Sequence, residues 1–472
     1  MPLEMVDVAR HPPERFESVL EPEPFEKLVA GIQRARGLLG ERTIWNVSST
    51  AKGGGVVELL LPLIGYAKGA GVDTRWAVIE GNAEFFKVTK RIHNLLHGFE
   101  GDGGDLDDAA REIYEAALEP NARELVELVG GDDVVLLHDP QTAGLIGPLK
   151  RMGAKVIWRC HIGIDEPNDV ARRAWEFLRS DVEQADAYVF SRAAFVWEGL
   201  DDAKAHVIAP SIDAFNAKNQ ELEPAQVRAI LAAAGIVDGG DGEPTFTRGD
   251  GSAARVQSRA ELYEDTRLTP DDPIVLQVSR WDRLKDPEGV IRGFAEHAEA
   301  HRTGAHLIYA GPAVEAVSDD PEGAQVLQEA IELRESLPDD AQRSIHLVCL
   351  PLDDAEENAA IVNALQRVAS VVVQKSIAEG FGLTVAEAMW KARPVVATAV
   401  GGIQDQIVDG ESGVLLDDPR DLDAYGDAVR GLLEDPERAR RMGEAAKARV
   451  REGFLGARSL LDYLNLISRL LA

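Results

Sequence analysis

Lys375-Ser-Ile-Ala-Glu-Gly-Phe-Gly-Leu-Thr-Val-Ala-Glu-Ala-Met-Trp390 is the stretch that decides how this chain folds. Val371, Val372 and Val373 precede it, a short β-branched run of the kind that fills a strand buried on both faces. Gly380-Phe-Gly382 then makes a turn, and a helix is expected to begin near Leu383. The first backbone N–H groups of a helix have no intrahelical partner, so this turn is built to hold a phosphate. Glu379 and Glu387 stand eight positions apart. At about 1.5 Å per residue they would lie roughly 12 Å apart along a helix axis, the reach from the sugar of a nucleotide-sugar to its ribose. The competing reading is an acidic amphipathic helix whose carboxylates merely face water.

A chain of 472 residues with 45% hydrophobic content can bury a large core. Its length points to two domains, because single cores seldom grow past about 250–300 residues. The formal net charge of −31 opposes binding to nucleic acid or to an anionic membrane, so an anionic substrate needs a local cluster of cations. Cys160 and Cys349 are the only cysteines, far apart and without metal-like spacing; two buried thiols are expected, with neither a disulfide framework nor a zinc site. Residues Met1–Leu20 are charged and contain prolines, with no apolar signal core, and the longest apolar run, Val56–Ala67, is too short for a bilayer. These features lead to the expectation of a cytoplasmic protein.

From Thr43 onward, short β-branched runs alternate with longer amphipathic segments, the βαβ pattern of a parallel sheet covered by helices on both faces. Strands are expected at Thr43–Val47, Thr74–Ile79, Val134–His138, Lys155–His161, Ala187–Ser191 and His206–Ile208. After a break they resume at Pro273–Val278, His306–Tyr309, Ser344–Cys349, Ser370–Val373, Pro394–Ala397 and Gly413–Leu416. This gives two Rossmann-like α/β/α domains, 1–212 and 213–454, with a hinge at Pro210-Ser-Ile-Asp213. The break, Gly235–Asp272, is rich in Gly and Asp and reads as a polar insertion or mobile excursion. An apolar stripe over 455–472 predicts a closing helix packed back on the first domain.

Further candidates fall at strand ends, the edge where α/β proteins bind ligands. Arg280 and Lys285, in Ser279-Arg-Trp-Asp-Arg-Leu-Lys-Asp-Pro287, are two cations able to neutralise a departing diphosphate, whereas Arg283 reads as a solvated residue. Gly53-Gly-Gly55 separates the first strand from the helix Val56–Ala67, so backbone there can approach a phosphate or sugar with no Cβ in the way. It is not a dinucleotide-binding fingerprint, since the G-x-G-x-x-G spacing is missing. His161 closes Trp158-Arg-Cys-His-Ile and is a candidate for holding a sugar hydroxyl, against the alternative of a hydrogen-bonded core histidine. Asp139 and Gln141, in His138-Asp-Pro-Gln141, occupy the same edge one strand earlier and could bind hydroxyls of an acceptor or simply cap a helix.

Taken together, the Glu379/Glu387 segment, Arg280 with Lys285, and the triple glycine resemble a retaining glycosyltransferase of the GT-B fold, in the glycogen-synthase and sucrose-synthase-like class. Gln374-Lys-Ser, Glu379-Gly-Phe-Gly-Leu-Thr, Trp390-Lys-Ala-Arg-Pro394, His138-Asp-Pro-Gln, Thr89-Lys-Arg-Ile-His-Asn94 and Pro210-Ser-Ile-Asp213 resemble its trehalose glycosyltransferring synthase and trehalose phosphorylase branch. The resemblance implies two domains facing a central cleft. It implies that Arg280 and Lys285 bind the donor diphosphate, that Glu379 contacts the donor glucose, and that Gly380, Phe381, Gly382, Leu383 and Thr384 line it. Glu387 would hold the ribose, Gly54 and Gly55 would lie near the donor phosphates, and His161 would sit beside the sugar, on the acceptor side with the edge residues Asp139 and Gln141. This sequence departs from the pattern at Ser279, where Gly is commoner, and at Asp286-Pro287 after Lys285.

The reaction so implied transfers glucose from UDP- or ADP-glucose to the anomeric hydroxyl of free glucose, giving α,α-trehalose with the donor's configuration kept. Retention usually demands a carboxylate nucleophile about 5 Å from its acid/base partner, and the residues single out no such pair. In proteins of this kind attack comes from the leaving-group face, the departing phosphate oxygen taking the acceptor's proton. No tightly bound cofactor is implied, and the scheme leaves room for a divalent metal as an activator and for a homodimer. The alternatives are a trehalose phosphorylase using α-glucose-1-phosphate and a sugar-nucleotide sensor without catalysis.

Overall fold

The computed structural model describes residues 3–52, 54–240, 242–297, 303–314 and 321–472. The chain divides into two compact units, Met1–Ser211 with Leu455–Ala472, and Ile212–Phe454.

The first unit is a seven-stranded sheet in the order β1-β3-β2-β4-β5-β6-β7. Its strands are β1 (Leu3–Val6), β2 (Ile44–Ser48), β3 (Thr74–Ile79), β4 (Val134–His138), β5 (Lys155–Cys160), β6 (Ala187–Phe190) and β7 (Ala205–Val207). All neighbours are parallel except β1, which runs antiparallel to β3. β2, β4 and β6 are buried along their whole length, which is why they read as continuous apolar runs and not as alternating ones. The tail helix, Gly456–Leu471, buries Leu460, Leu464 and Ile467 in this unit. It approaches helix Pro22–Leu39 so closely that a Cβ on Gly31 would lie 2.2 Å from Leu461 Cδ1.

The second unit has the same design, in the order β10-β13-β12-β11-β14-β15-β16. Its strands are β10 (Glu261–Tyr263), β11 (Ile274–Val278), β12 (His306–Pro312), β13 (Ile345–Leu350), β14 (Val371–Gln374), β15 (Val395–Thr398) and β16 (Val414–Leu416), with a separate hairpin of β8 (Thr245–Thr247) and β9 (Ala253–Arg255). Only β10 is antiparallel in the main sheet.

The expected strands are all present to within one residue at each end, save β12, which runs on to Pro312. The edge strands β1 and β10 are absent from the sequence reading, because Leu-Glu-Met-Val and Glu-Leu-Tyr are short and partly exposed, as edges tend to be. Gly235–Asp272 is not a featureless polar excursion. It carries β8, β9 and β10 and buries Ile236 and Val237 at its start and then Phe246, Val256 and Leu268, spaced too widely to register as a period. Arg248 Nη1 donates to Asp354 Oδ1 at 3.0 Å, and the N–H groups of Gln257 and Ser258 donate to Glu357 Oε2 at 3.0 Å. The segment is thereby tied to helix Ala355–Val368.

Candidate active site

In the second unit the candidate residues gather where β11 and β14 end. After β11 the chain makes a single turn, Arg283–Lys285, capped by Asp282 Oδ1 accepting the Leu284 N–H at 2.8 Å. Gln277, buried in β11, donates from Nε2 to the Lys285 carbonyl at 2.8 Å, while its Oε1 accepts the Lys375 N–H at 3.1 Å. One buried amide therefore fixes both strand ends. Lys285 Nζ lies 2.6 Å from Glu379 Oε2, and Ser376 Oγ donates to the same oxygen at 3.4 Å. Arg280 extends toward solvent, 65% exposed, with Nη2 2.7 Å from Asp282 Oδ2. Arg283 is not simply solvated: its guanidinium forks onto Glu329 at 2.8 and 2.9 Å.

Asp286 occupies the position where the resemblance departs from its pattern, and it adopts φ +51, a conformation glycine enters at no cost and Asp tolerates better than most residues. Its carboxylate is held by the Gly289 N–H at 3.1 Å and by Lys375 Nζ. Lys375 is 1% exposed, a buried cation directly behind the site. Its signal in the sequence is a charged residue that follows an apolar run closely, in Val-Val-Val-Gln-Lys.

Only one of the two carboxylates lies on the helix. Leu383–Trp390 begins at Gly382, whose φ of +82 turns the chain into it, so Glu379 belongs to the preceding turn and the 12 Å helical spacing does not describe the pair. The turn is shaped by a loop that sequence reading overlooks. A Cβ on Gly401 would fall 1.6 Å from the Glu379 carbonyl oxygen and one on Gly402 would fall 2.8 Å from Phe381 Cα, while the Gly402 N–H donates to the Gly380 carbonyl at 3.0 Å. Gln406 Nε2 donates to the Phe381 carbonyl at 2.6 Å, and Thr384 Oγ1 donates to Gln374 Oε1 at 3.0 Å. Glu387 is 2% exposed, with Oε1 3.5 Å from Lys218 Nζ and Oε2 buried without a hydrogen-bond partner. Lys391, one helical turn on, donates to the Glu387 carbonyl at 3.1 Å; burial lowers its pKa and the nearby Glu387 charge offsets part of that shift.

In the first unit the candidates line the carboxyl ends of β2, β4 and β5. Asp139 follows β4 at φ +64, a strained value for a non-glycine residue. Hydrogen bonds hold it on several sides: its N–H donates to the Arg159 carbonyl at 2.7 Å, its carbonyl accepts Trp158 Nε1 at 3.2 Å and the Thr142 hydroxyl at 3.1 Å, and Oδ1 accepts the His161 N–H at 2.7 Å. Burial pushes its carboxyl up to about 7, against the opposing His161 N–H. His161 Nε2 lies 3.3 Å from His138 Nδ1, and His138 Nε2 lies 3.2 Å from Asn46 Oδ1. Burial takes His138 down to about 3 and His161 well below its ordinary value, the Arg159 charge adding to both. His161 Nδ1 and Gln141 Oε1 are buried without hydrogen-bond partners. Asn46 and His138 are missed in the sequence because each sits inside an apolar strand. Gly54, at φ +82, starts helix Gly55–Gly69, and Gly53 lies outside the described residues.

Residues 46–197 match the family described as trehalose synthase, N-terminal domain, and residues 258–449 match glycosyl transferases group 1. The chain is 36% identical to a trehalose synthase of Pyrococcus horikoshii over 97% of its own length and 96% of that protein. It is 27% identical to a trehalose phosphorylase of Pleurotus pulmonarius over 88% of this chain and 56% of that protein. Among solved structures, an α,α-trehalose-phosphate synthase (UDP-forming) from Burkholderia vietnamiensis superposes with a TM-score of 0.63 at 14% identity, covering 91% of this chain and 97% of that one. The fold is GT-B, the activity is hexosyl transfer, and the chain belongs to the trehalose synthase family of glycosyltransferases.

Proposed function

We propose that this protein is a retaining glucosyltransferase that makes α,α-trehalose from a nucleoside diphosphate glucose and free glucose. The observation that carries the reading is the meeting of Lys285 and Glu379 beside the amino end of helix Leu383–Trp390. A cation and unpaired backbone N–H groups suit the charge that grows on a departing diphosphate, and a carboxylate suits the hydroxyls of the transferred glucose. Arg280, exposed beside them, adds the second cation. Glu387 presents an unpartnered oxygen, the group a ribose hydroxyl would satisfy. On the acceptor side, His161 Nδ1 and Gln141 Oε1 are buried atoms without a protein partner, a ring nitrogen and an amide oxygen able to accept hydrogen bonds. Such acceptors suit the hydroxyls of an uncharged sugar. Attack from the leaving-group face, with the departing phosphate oxygen taking the acceptor's proton, leaves the protein to position the reactants and stabilise charge.

A second reading, phosphorolysis of trehalose, is supported by the likeness to trehalose phosphorylase. In it Glu387 has no ribose to hold. Incubation with UDP-glucose, ADP-glucose or α-glucose-1-phosphate, each with glucose, separates the two when the disaccharide is identified by NMR. Trehalose from a nucleotide donor, with release of the diphosphate, is the expected outcome. Trehalose from glucose-1-phosphate alone would establish the phosphorylase reading instead.

A further inference from the structure

Asn46, His138 and His161 form a chain across the carboxyl ends of β2, β4 and β5, and the direction of that chain can be worked out. Asn46 Nδ2 donates to Thr74 Oγ1 at 3.3 Å, and Asn46 Oδ1 faces His138 Nε2 at 3.2 Å. An amide oxygen only accepts, so His138 must carry its proton on Nε2 and keep a bare Nδ1. That bare nitrogen faces His161 Nε2, which must then be the protonated nitrogen of its own ring. His161 is left with a lone pair on Nδ1, the buried atom that has no partner. Asn46 and His138 are 3% and 2% exposed, so water does not compete for either link.

From this chain we infer that Asn46 and His138 are positioning residues that hold His161 in the Nε2–H tautomer, so that its Nδ1 accepts a hydrogen bond from a sugar hydroxyl. The inference rests on the acceptor-side role proposed above for His161 and adds the two residues that set its polarity. With the opposite tautomer His161 would present an N–H, a donor where a sugar hydroxyl would otherwise find an acceptor, and the hydroxyl would have to turn its lone pair to the ring. His161 acts on the sugar; Asn46 and His138 act only through it.

Long-range proton–nitrogen NMR of the full chain labelled at its ten histidines reads the tautomers directly, with His161→Gln and His138→Gln used for assignment. The wild type should show His138 and His161 neutral, each protonated at Nε2, and added glucose should shift the His161 Nδ1 resonance. In Asn46→Leu the two rings should redistribute between tautomers, and turnover should fall by roughly tenfold, the equivalent of one hydrogen bond. A wild-type spectrum with His161 protonated at Nδ1 would overturn the inference, as would an Asn46→Leu protein whose His161 tautomer is unchanged. The wild-type spectrum needs no variant to fold and no donor to be identified. If it shows the Nε2–H tautomer while no donor yields trehalose, the proposed activity fails and the relay stands.

Discussion

Lys285 Nζ and Glu379 Oε2 are 2.6 Å apart in a site where their side chains are 15% and 14% exposed, so the cation assigned to the diphosphate and the carboxylate assigned to the sugar are each other's partners. On the proposed function, donor binding divides this pair, the ammonium turning to phosphate oxygens and the carboxylate to hydroxyls. Their effects should therefore be coupled. Lys285→Ala and Glu379→Gln should each lower turnover by about 10²–10³, the usual cost of one preorganised electrostatic group. The double variant should lose little more than the worse single one. Steady-state rates with thermal melts on all three proteins test this, and multiplying losses would show that the two act separately. Arg280→Ala, exposed and outside the pair, should lower turnover with no change in melting temperature.

Glu387 should govern nucleotide affinity and leave sugar transfer largely alone. Removing a buried charged hydrogen-bond acceptor is worth about 1.5–3 kcal/mol, so Glu387→Ala should weaken nucleoside diphosphate binding by roughly tenfold or more in calorimetric titration. Unchanged affinity would count for the phosphorylase reading.

Gly401 is predicted to be the most sensitive position that touches no substrate. Its φ is +52, and a Cβ there would lie 1.6 Å from the Glu379 carbonyl, so Gly401→Ala must push the Glu379 turn aside. A displacement of about 1 Å at a catalytic group can cost about 10²-fold in rate, and the left-handed conformation adds about 1–2 kcal/mol of strain. Reduced melting temperature together with reduced turnover is the expected result. Wild-type turnover in this variant would mean that the turn can move without consequence.

Stability should depend on pH through the first unit's buried groups. His138 and His161 have folded pKa values below the ordinary histidine value of about 6.5, so the unfolded chain binds their protons first. Their contribution is present above about pH 6.5 and is lost as pH falls, for His138 down to about 3. Asp139 works in the opposite sense: its folded pKa near 7 lies above the unfolded value, so its contribution is present at low pH and is lost as pH rises through about 7. Denaturant midpoints measured near pH 7 and near pH 5 should fall on acidification in the wild type, fall less in His138→Gln, and fall more in Asp139→Asn. Parallel changes in all three proteins would show that these groups do not set the slope.

The parallel strands and the motif-bearing turns could be read from the chain alone because each rests on local chemistry. Val371–Val373 is apolar because β14 is covered on both faces, and Gly380 and Gly382 mark the turn because backbone conformation is a property of single residues. Arg280, Lys285, Glu379, Asp139 and His161 were visible for the same reason: each follows a strand at the edge where loops gather. What tertiary structure alone decided is which of them meet. Lys285 and Glu379 are 94 positions apart, Asn46 and His138 are 92 apart, and Gly401 reaches the Glu379 turn only because β14 and β15 pair in parallel. Edge strands β1 and β10 were hidden because half of each faces solvent, and Lys375 acquires its place from Asp286, a residue on another strand's loop. Periodicity reports the burial of a segment along one line of chain, whereas pairings such as these depend on sheet order and register, which no single segment contains.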